Sequence, residues 1–89
     1  MSKFSLGTVV ATPGAIELLE QNSLPASSFL SRHISGDWGV LDAEDTQANE
    51  DAIQYGNRIL SSYILNGEKL WIITEADRCS TCLLLPREY

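Results

Sequence analysis

The stretch RILSSYILNGEKLWIITEADRCSTCLLLP, Arg58 to Pro86, carries the reading of the fold. Asn66-Gly67 stands between two runs rich in β-branched and aromatic residues, the strongest short-range signal for a two-residue type I′ hairpin. A two-residue turn sets the register: Leu65 opposes Glu68, Tyr63 opposes Leu70, Ser61 opposes Ile72, and Arg58 opposes Glu75. A second turn near Ala76-Asp77-Arg78-Cys79, taken as a two- or four-residue loop, returns the chain through Ser80 to Leu85. It places Ile72 opposite Leu83 and Trp71 opposite Leu84. The stretch reads as a three-stranded antiparallel meander.

Side chains alternate across a sheet. One face then holds Ile59, Ser61, Tyr63, Leu65, Leu70, Ile72, Thr74, Leu83 and Leu85. The other holds Leu60, Ser62, Ile64, Lys69, Trp71, Ile73, Cys82 and Leu84. An antiparallel sheet with one solvated face alternates apolar with polar. This one is apolar on both faces, and a chain of 89 residues supplies few helices to cover two. The spacing does not decide which face the helices take.

Working outward, Leu6–Ala11 is rich in β-branched residues and reads as a short strand. Thr12-Pro13 follows as N-cap and first helical residue of a helix to about Gln21, with Ile16, Leu19 and Leu18 facing the core. Pro25 starts a second helix whose stripe is Ala26, Phe29 and His33. Ser35–Gly39 ends it, two glycines bracketing Asp37-Trp38 in a fixed irregular loop. Asp42 opens a third helix with Asp45 at the capping-box position. Ala48, Ala52 and Tyr55 form its stripe and Gly56 its terminator. The predicted fold is a single α+β domain over 1–89: a short N-terminal strand, three helices, then the meander packed on the helices.

The hydrophobic fraction of 44% and charged fraction of 20% are those of a globular protein. Net charge is −6, from six basic and twelve acidic residues. Nucleic-acid binders use Lys and Arg to displace counterions from phosphates, so direct nucleic-acid binding is not expected, nor is binding to an anionic membrane. An acidic surface suits a basic protein partner. No segment reaches the roughly 20 apolar residues of a membrane span, and Met1–Phe4 opens no signal-peptide run. The expectation is a cytoplasmic protein with reduced thiols.

Five groups of residues invite a chemical reading. Cys79-Ser80-Thr81-Cys82 is a Cys-x-x-Cys match with no second pair and no helix N-terminus, so it reads as two structural thiols, with no metal and no cofactor expected. His33, the single histidine, reads as an anchor for the Gly36–Gly39 turn. Its alternative role is a general base. Arg58, Glu75 and Arg78 read as an ion-paired hairpin tip. Asp42, Glu44, Asp45, Glu50 and Asp51 read as a solvated helix face with capping residues, or as phosphate mimicry toward a basic partner. Trp71 and Trp38 are the costly aromatics, and Trp71, on the face that is harder to cover, is the prime contact residue.

Several strings resemble those of a family of small uncharacterised bacterial proteins carried on plasmids and other mobile elements. Its members often bear the label plasmid-related protein or, wrongly, type I restriction subunit. The strings are Ala11-Thr12-Pro13-Gly14-Ala15, Arg32-His33, Gly36-Asp37-Trp38-Gly39, Asn49, Arg58, Leu60-Ser61 and Tyr63. They continue with Trp71-Ile72-Ile73-Thr74-Glu75-Ala76-Asp77-Arg78, Leu84-Leu85-Pro86 and Glu88-Tyr89. The resemblance implies a mobile-element setting, and its relatives carry Ser or Thr where this chain has Cys79 and Cys82, which speaks against a metal or redox site there. It implies no activity, and 89 residues without a methyltransferase or nuclease motif do not make a modification subunit.

The leading expectation is a small acidic protein–protein interaction module, an inhibitor of a host defence or nucleic-acid-binding protein. Its contact residues are Trp71, Leu60, Ile64, Ile73 and Leu84 on the sheet, with Asp42, Glu44 and Asp45 on the acidic helix. One alternative is a toxin-like ribonuclease using His33, Arg58, Glu75 and Arg78, against which the acidic charge counts. A second is a structural homodimer with no catalytic site.

Overall fold

Asn66 and Gly67 adopt φ of 50° and 85°, the left-handed pair that a type I′ turn requires. The computed structural model of the protein describes residues 2–89. Strand β2 (Ile59–Leu65) and strand β3 (Glu68–Thr74) flank this turn, and strand β4 (Ser80–Leu84) follows. Leu65 pairs with Glu68, Tyr63 with Leu70 and Ser61 with Ile72. Across the second turn Ile72 pairs with Leu83 and Trp71 with Leu84. Both registers are those read from the sequence.

The sheet itself is larger than the expected meander. Strand β1 (Thr8–Ala11) lies parallel to β4, with Thr8 opposite Ser80 and Ala11 opposite Leu83. The protein is α+β, with a four-stranded mixed sheet in the order β1-β4-β3-β2 rather than a purely antiparallel three-stranded one. Gly7 makes this pairing sterically available. Its φ is +65°, and a Cβ there would sit 2.3 Å from the carbonyl oxygen of Cys79. No turn residue announces a pairing between strands so far apart in sequence.

Of the three α-helices among the described residues, the first and third start at side-chain caps and the second starts after Pro25 without one. In α1 (Pro13–Gln21) the Thr12 hydroxyl accepts from the Ala15 amide, and Pro13 occupies the first helical position. The Glu88 carboxylate ties the chain after β4 to this N-terminus, accepting from the Thr12 hydroxyl and the amides of Gly14 and Leu85. Helix α2 spans Ala26–Ile34 and α3 spans Ala43–Tyr55. Asp42 caps α3 through the Asp45 amide at 2.7 Å, and Gly56, at φ 76°, ends it.

Ala15, Leu18 and Leu19 of α1 join Phe29 of α2 against Tyr63, Leu65, Leu70, Ile72, Leu83 and Leu85. Ala52 of α3 and Trp38 close over Ile59. All these strand residues share one face, so the helices occupy a single side of the sheet. Two helix faces differ from expectation. Ala15 takes the core place expected of Ile16, which is exposed. In α3 the buried pair is Asn49 and Ala52, while Ala48 and Tyr55 face solvent. The reason in α3 is a polar contact: the Asn49 amide donates to the Leu60 carbonyl at 2.6 Å and accepts from the Leu60 amide at 3.1 Å. That turns the helix toward the strand edge.

Ile72→Ala, deleting a fully buried side chain, lowers unfolding free energy by about 2–5 kcal/mol, whereas Ile64→Ala on the exposed side changes it by less than about 0.5 kcal/mol. Asn49→Ala leaves two backbone groups of Leu60 without their partner and costs about 1–3 kcal/mol. Urea unfolding of the three variants beside the unaltered protein checks this ordering.

Candidate functional site

Of the residues considered for acid–base chemistry, Arg58 and Arg78 gather at Glu75 near the β3–β4 turn, while His33 lies buried apart from them. His33 is fully buried on the helix side of the sheet. Its Nδ1 lies in hydrogen-bond contact with the Ser61 hydroxyl, and its Nε2 lies 2.9 Å from the Thr74 hydroxyl. Thr74 in turn is 2.7 Å from the Thr81 hydroxyl, which donates to the Leu6 carbonyl at 2.8 Å. This chain has only one consistent set of proton positions with a neutral imidazole. A carbonyl only accepts, so Thr81 spends its proton on Leu6. Thr74 must then donate to Thr81, and His33 Nε2–H must donate to Thr74. Nδ1 is left as an acceptor, and Ser61 donates to it.

Phe4 packs edge-on against the imidazole at 5.1 Å and Trp38 at 5.9 Å, so solvent does not reach the Ser61–His33 pair. Burial disfavours the imidazolium and pushes the His33 pKa down from 6.5 to about 4. His33 is thus a neutral strut between α2 and strands β2 and β3. Its carbonyl accepts from the Gly36 amide at 3.2 Å, but its ring makes no hydrogen bond to the glycine turn that its sequence position implied it would anchor. Side-chain bonds to that turn come from Asp37, which accepts from the Arg32 side chain at 2.7 Å and the Gly39 amide at 3.2 Å.

Arg78, with φ of 61°, aims its guanidinium at carbonyls. It donates to Asn57 at 2.6 Å, Ala52 at 2.9 Å and Glu75 at 3.1 Å, and so supplies positive charge where the α3 dipole is negative. Arg58 and Glu75 form the expected ion pair, at 3.0 Å, and Arg58 also donates to the Tyr89 hydroxyl at 2.8 Å. Cys79 is exposed and Cys82 half-buried. The charge of Asp77 raises the Cys79 thiol pKa, and burial raises that of Cys82, so both remain protonated thiols at neutral pH. Among the described residues no three His, Cys, Asp or Glu side chains cluster to hold a metal. A groove of about 390 Å³ lies at the Gly67 end of the sheet, lined by Glu68, Lys69, Leu85, Pro86 and Arg87. None of the candidate catalytic residues borders it.

The second face of the sheet is different. Cross-strand pairing aligns Leu60, Ile73, Cys82 and Val10 in one row and Ser62, Trp71 and Leu84 in the next. No helix of the two core clusters lies on this side. Ile64 is 55% exposed and Val10 49% exposed, while Leu60 and Trp71 are half-buried. Ile73 and Leu84 are each only 6% exposed, enclosed by the side chains of their own face, so they support the surface rather than present it. Tyr89 stands edge-on to Trp71 at 5.9 Å. Val10 and Tyr89 are members of this face that the meander alone did not reveal, because both arrive from distant parts of the chain. Beside its β2 border runs α3, held by Asn49, with Asp42, Glu44, Asp45, Glu50 and Asp51 all exposed.

Comparison with protein-family models, with curated proteins and with solved structures returned no match. Among the described residues no helix is long and apolar enough to cross a membrane.

A histidine that binds its proton near pH 6.5 unfolded and near 4 folded leaves the unfolded state with the extra proton between those values. Stability is therefore complete above about pH 6.5 and declines as pH falls toward 4, by about 3 kcal/mol from this group. Nuclear magnetic resonance of the His33 ring checks the cause: the carbon and nitrogen shifts should report the neutral Nε2–H form down to pH 5. A titration midpoint near 6.5 would contradict it.

Proposed function

We propose that the protein is a small acidic interaction module that binds a basic protein through the helix-free face of its sheet. The observation that carries this reading is the contrast between the two faces. Both are apolar, yet all the helices pack on one, leaving Ile64, Trp71 and Leu60 in reach of a partner on the other. A large, half-buried aromatic among aliphatic neighbours has the composition of a binding hot spot.

Charge selects the kind of partner. The face is bordered by a helix carrying Asp42, Glu44, Asp45, Glu50 and Asp51, and the chain as a whole is at −6. That field attracts a basic surface and repels nucleic acid. Proteins that themselves bind DNA or RNA carry such basic surfaces. The resemblance to the mobile-element family supports the same direction: an inhibitor that occupies a host defence or nucleic-acid-binding protein.

Trp71→Ala should weaken association at least tenfold while leaving the circular dichroism and thermal midpoint close to those of the unaltered protein, because Trp71 lies outside the helix-covered core. Asp42, Glu44 and Asp45 replaced together by their amides should slow association and flatten its salt dependence. Quantitative affinity capture from bacterial cells, followed by titration of the purified basic prey against each variant, measures both. Equal capture by the unaltered protein and Trp71→Ala sinks the proposal.

A further inference from the structure

The two borders of the sheet are treated in opposite ways. At β2 the outward backbone groups of Leu60 and Ser62 are occupied. Leu60 is bonded by Asn49, the Ser62 amide donates to the Trp38 carbonyl at 3.0 Å, and the Ser62 carbonyl accepts from the Val40 amide at 2.7 Å. Gly39, at φ +77°, makes that approach possible: a Cβ there would lie 2.0 Å from the Ser62 oxygen.

Strand β1 has no such cover. The amides of Thr8 and Thr12 donate to the carbonyls of Cys79 and Leu83 on the β4 side. By the alternation of a strand, Val9 and Ala11 point their N–H and C=O groups away from β4. Among the described residues no strand or bridge pairs with them. The strand is short, but it lacks the chemical features that keep edges single: Thr8–Ala11 contains no Lys, no Pro and no charge, and Val9 and Val10 are 43% and 49% exposed.

We propose that this edge joins two copies of the chain, β1 against β1, antiparallel across a two-fold axis. The unpaired donors and acceptors specify an extended segment as the occupant, and three features favour a second copy. Pairing Val9 with Ala11 of the partner subunit, in both directions, satisfies the outward groups with about four hydrogen bonds. It brings Val10 against Val10 of the partner subunit, apolar on apolar with no like charges opposed. The row Leu60, Ile73, Cys82, Val10 then continues across the axis as one apolar surface. The inference stands apart from what binds the outer face, which such a dimer would present twice.

A four-residue strand pair buries less than the roughly 1,600 Å² of a standard interface, so the dimer is reversible and concentration-dependent. Sedimentation equilibrium between about 10 μM and about 1 mM should show the mass rising toward twice the monomer value. Val10→Lys, at an exposed position, should keep the circular dichroism spectrum and hold the mass at the monomer value throughout. Trp71→Ala should leave the mass curve unchanged. Val10→Cys, in a chain with Cys79→Ser and Cys82→Ser, should give a disulfide-linked dimer on mild oxidation, since directly opposed non-hydrogen-bonded residues sit about 4.5 Å apart at Cα. A chain that stays monomeric to about 1 mM overturns the proposal. So does a dimer that Val10→Lys leaves intact, or one that Trp71→Ala abolishes.

Discussion

The register at Asn66-Gly67 determines what every side chain of β2, β3 and β4 does. Because side chains alternate with period two, a slip of one residue in β2 would move Ile59, Tyr63 and Leu65 to the open face and bring Ile64 under the helices. The turn resists that slip because both of its residues hold the positive φ that a two-residue hairpin needs. The helices enforce the same choice from above. Tyr63 reaches across the core to donate to the Asp37 carbonyl at 2.6 Å, and His33 needs Ser61 and Thr74 on its own side. Turn chemistry and core packing thus select one register, which is the kind of agreement that gives a sequence a single fold.

Within that frame the polar residues have structural assignments. Ser61, His33, Thr74, Thr81 and the Leu6 carbonyl form a buried thread in which each donor has an acceptor, linking α2, the sheet and the segment before β1. No buried side-chain nitrogen or oxygen among the described residues lacks a partner. A histidine in such a thread stabilises by position, and burial holds it neutral. The strongest surface pairs, Arg32 with Asp37 and Arg58 with Glu75, secure loops and strand ends. With these groups engaged, two features are left free: the apolar outer face around Trp71 and the backbone edge of β1.

Much of this was legible in the residues, and the reasons are local. Asn66-Gly67, Thr12-Pro13, Asp42 and Gly56 each act within a few positions of themselves, and each marks the element boundary the structure has. The composition of each sheet face followed from the two turns by alternation. The misses are equally specific. Ile16 and Tyr55 were expected to be buried from helical periodicity, but Ala15 and Asn49 occupy the contacts because the close approach to the sheet and the open edge of β2 favour a small residue and a two-sided amide. His33 was placed near its sequence neighbours, while its partners come from β2 and β3.

The sequence by itself determined the elements, the hairpin register and the composition of each sheet face, since these depend on turn chemistry and on a period of two. Only the tertiary structure decided that β1 joins in parallel beside β4, that Val10 and Tyr89 complete the outer face, and that the helices leave Trp71 uncovered. Those outcomes depend on groups far apart in the chain meeting in space, at a glycine such as Gly7 or Gly39 whose missing side chain permits the contact without naming the partner.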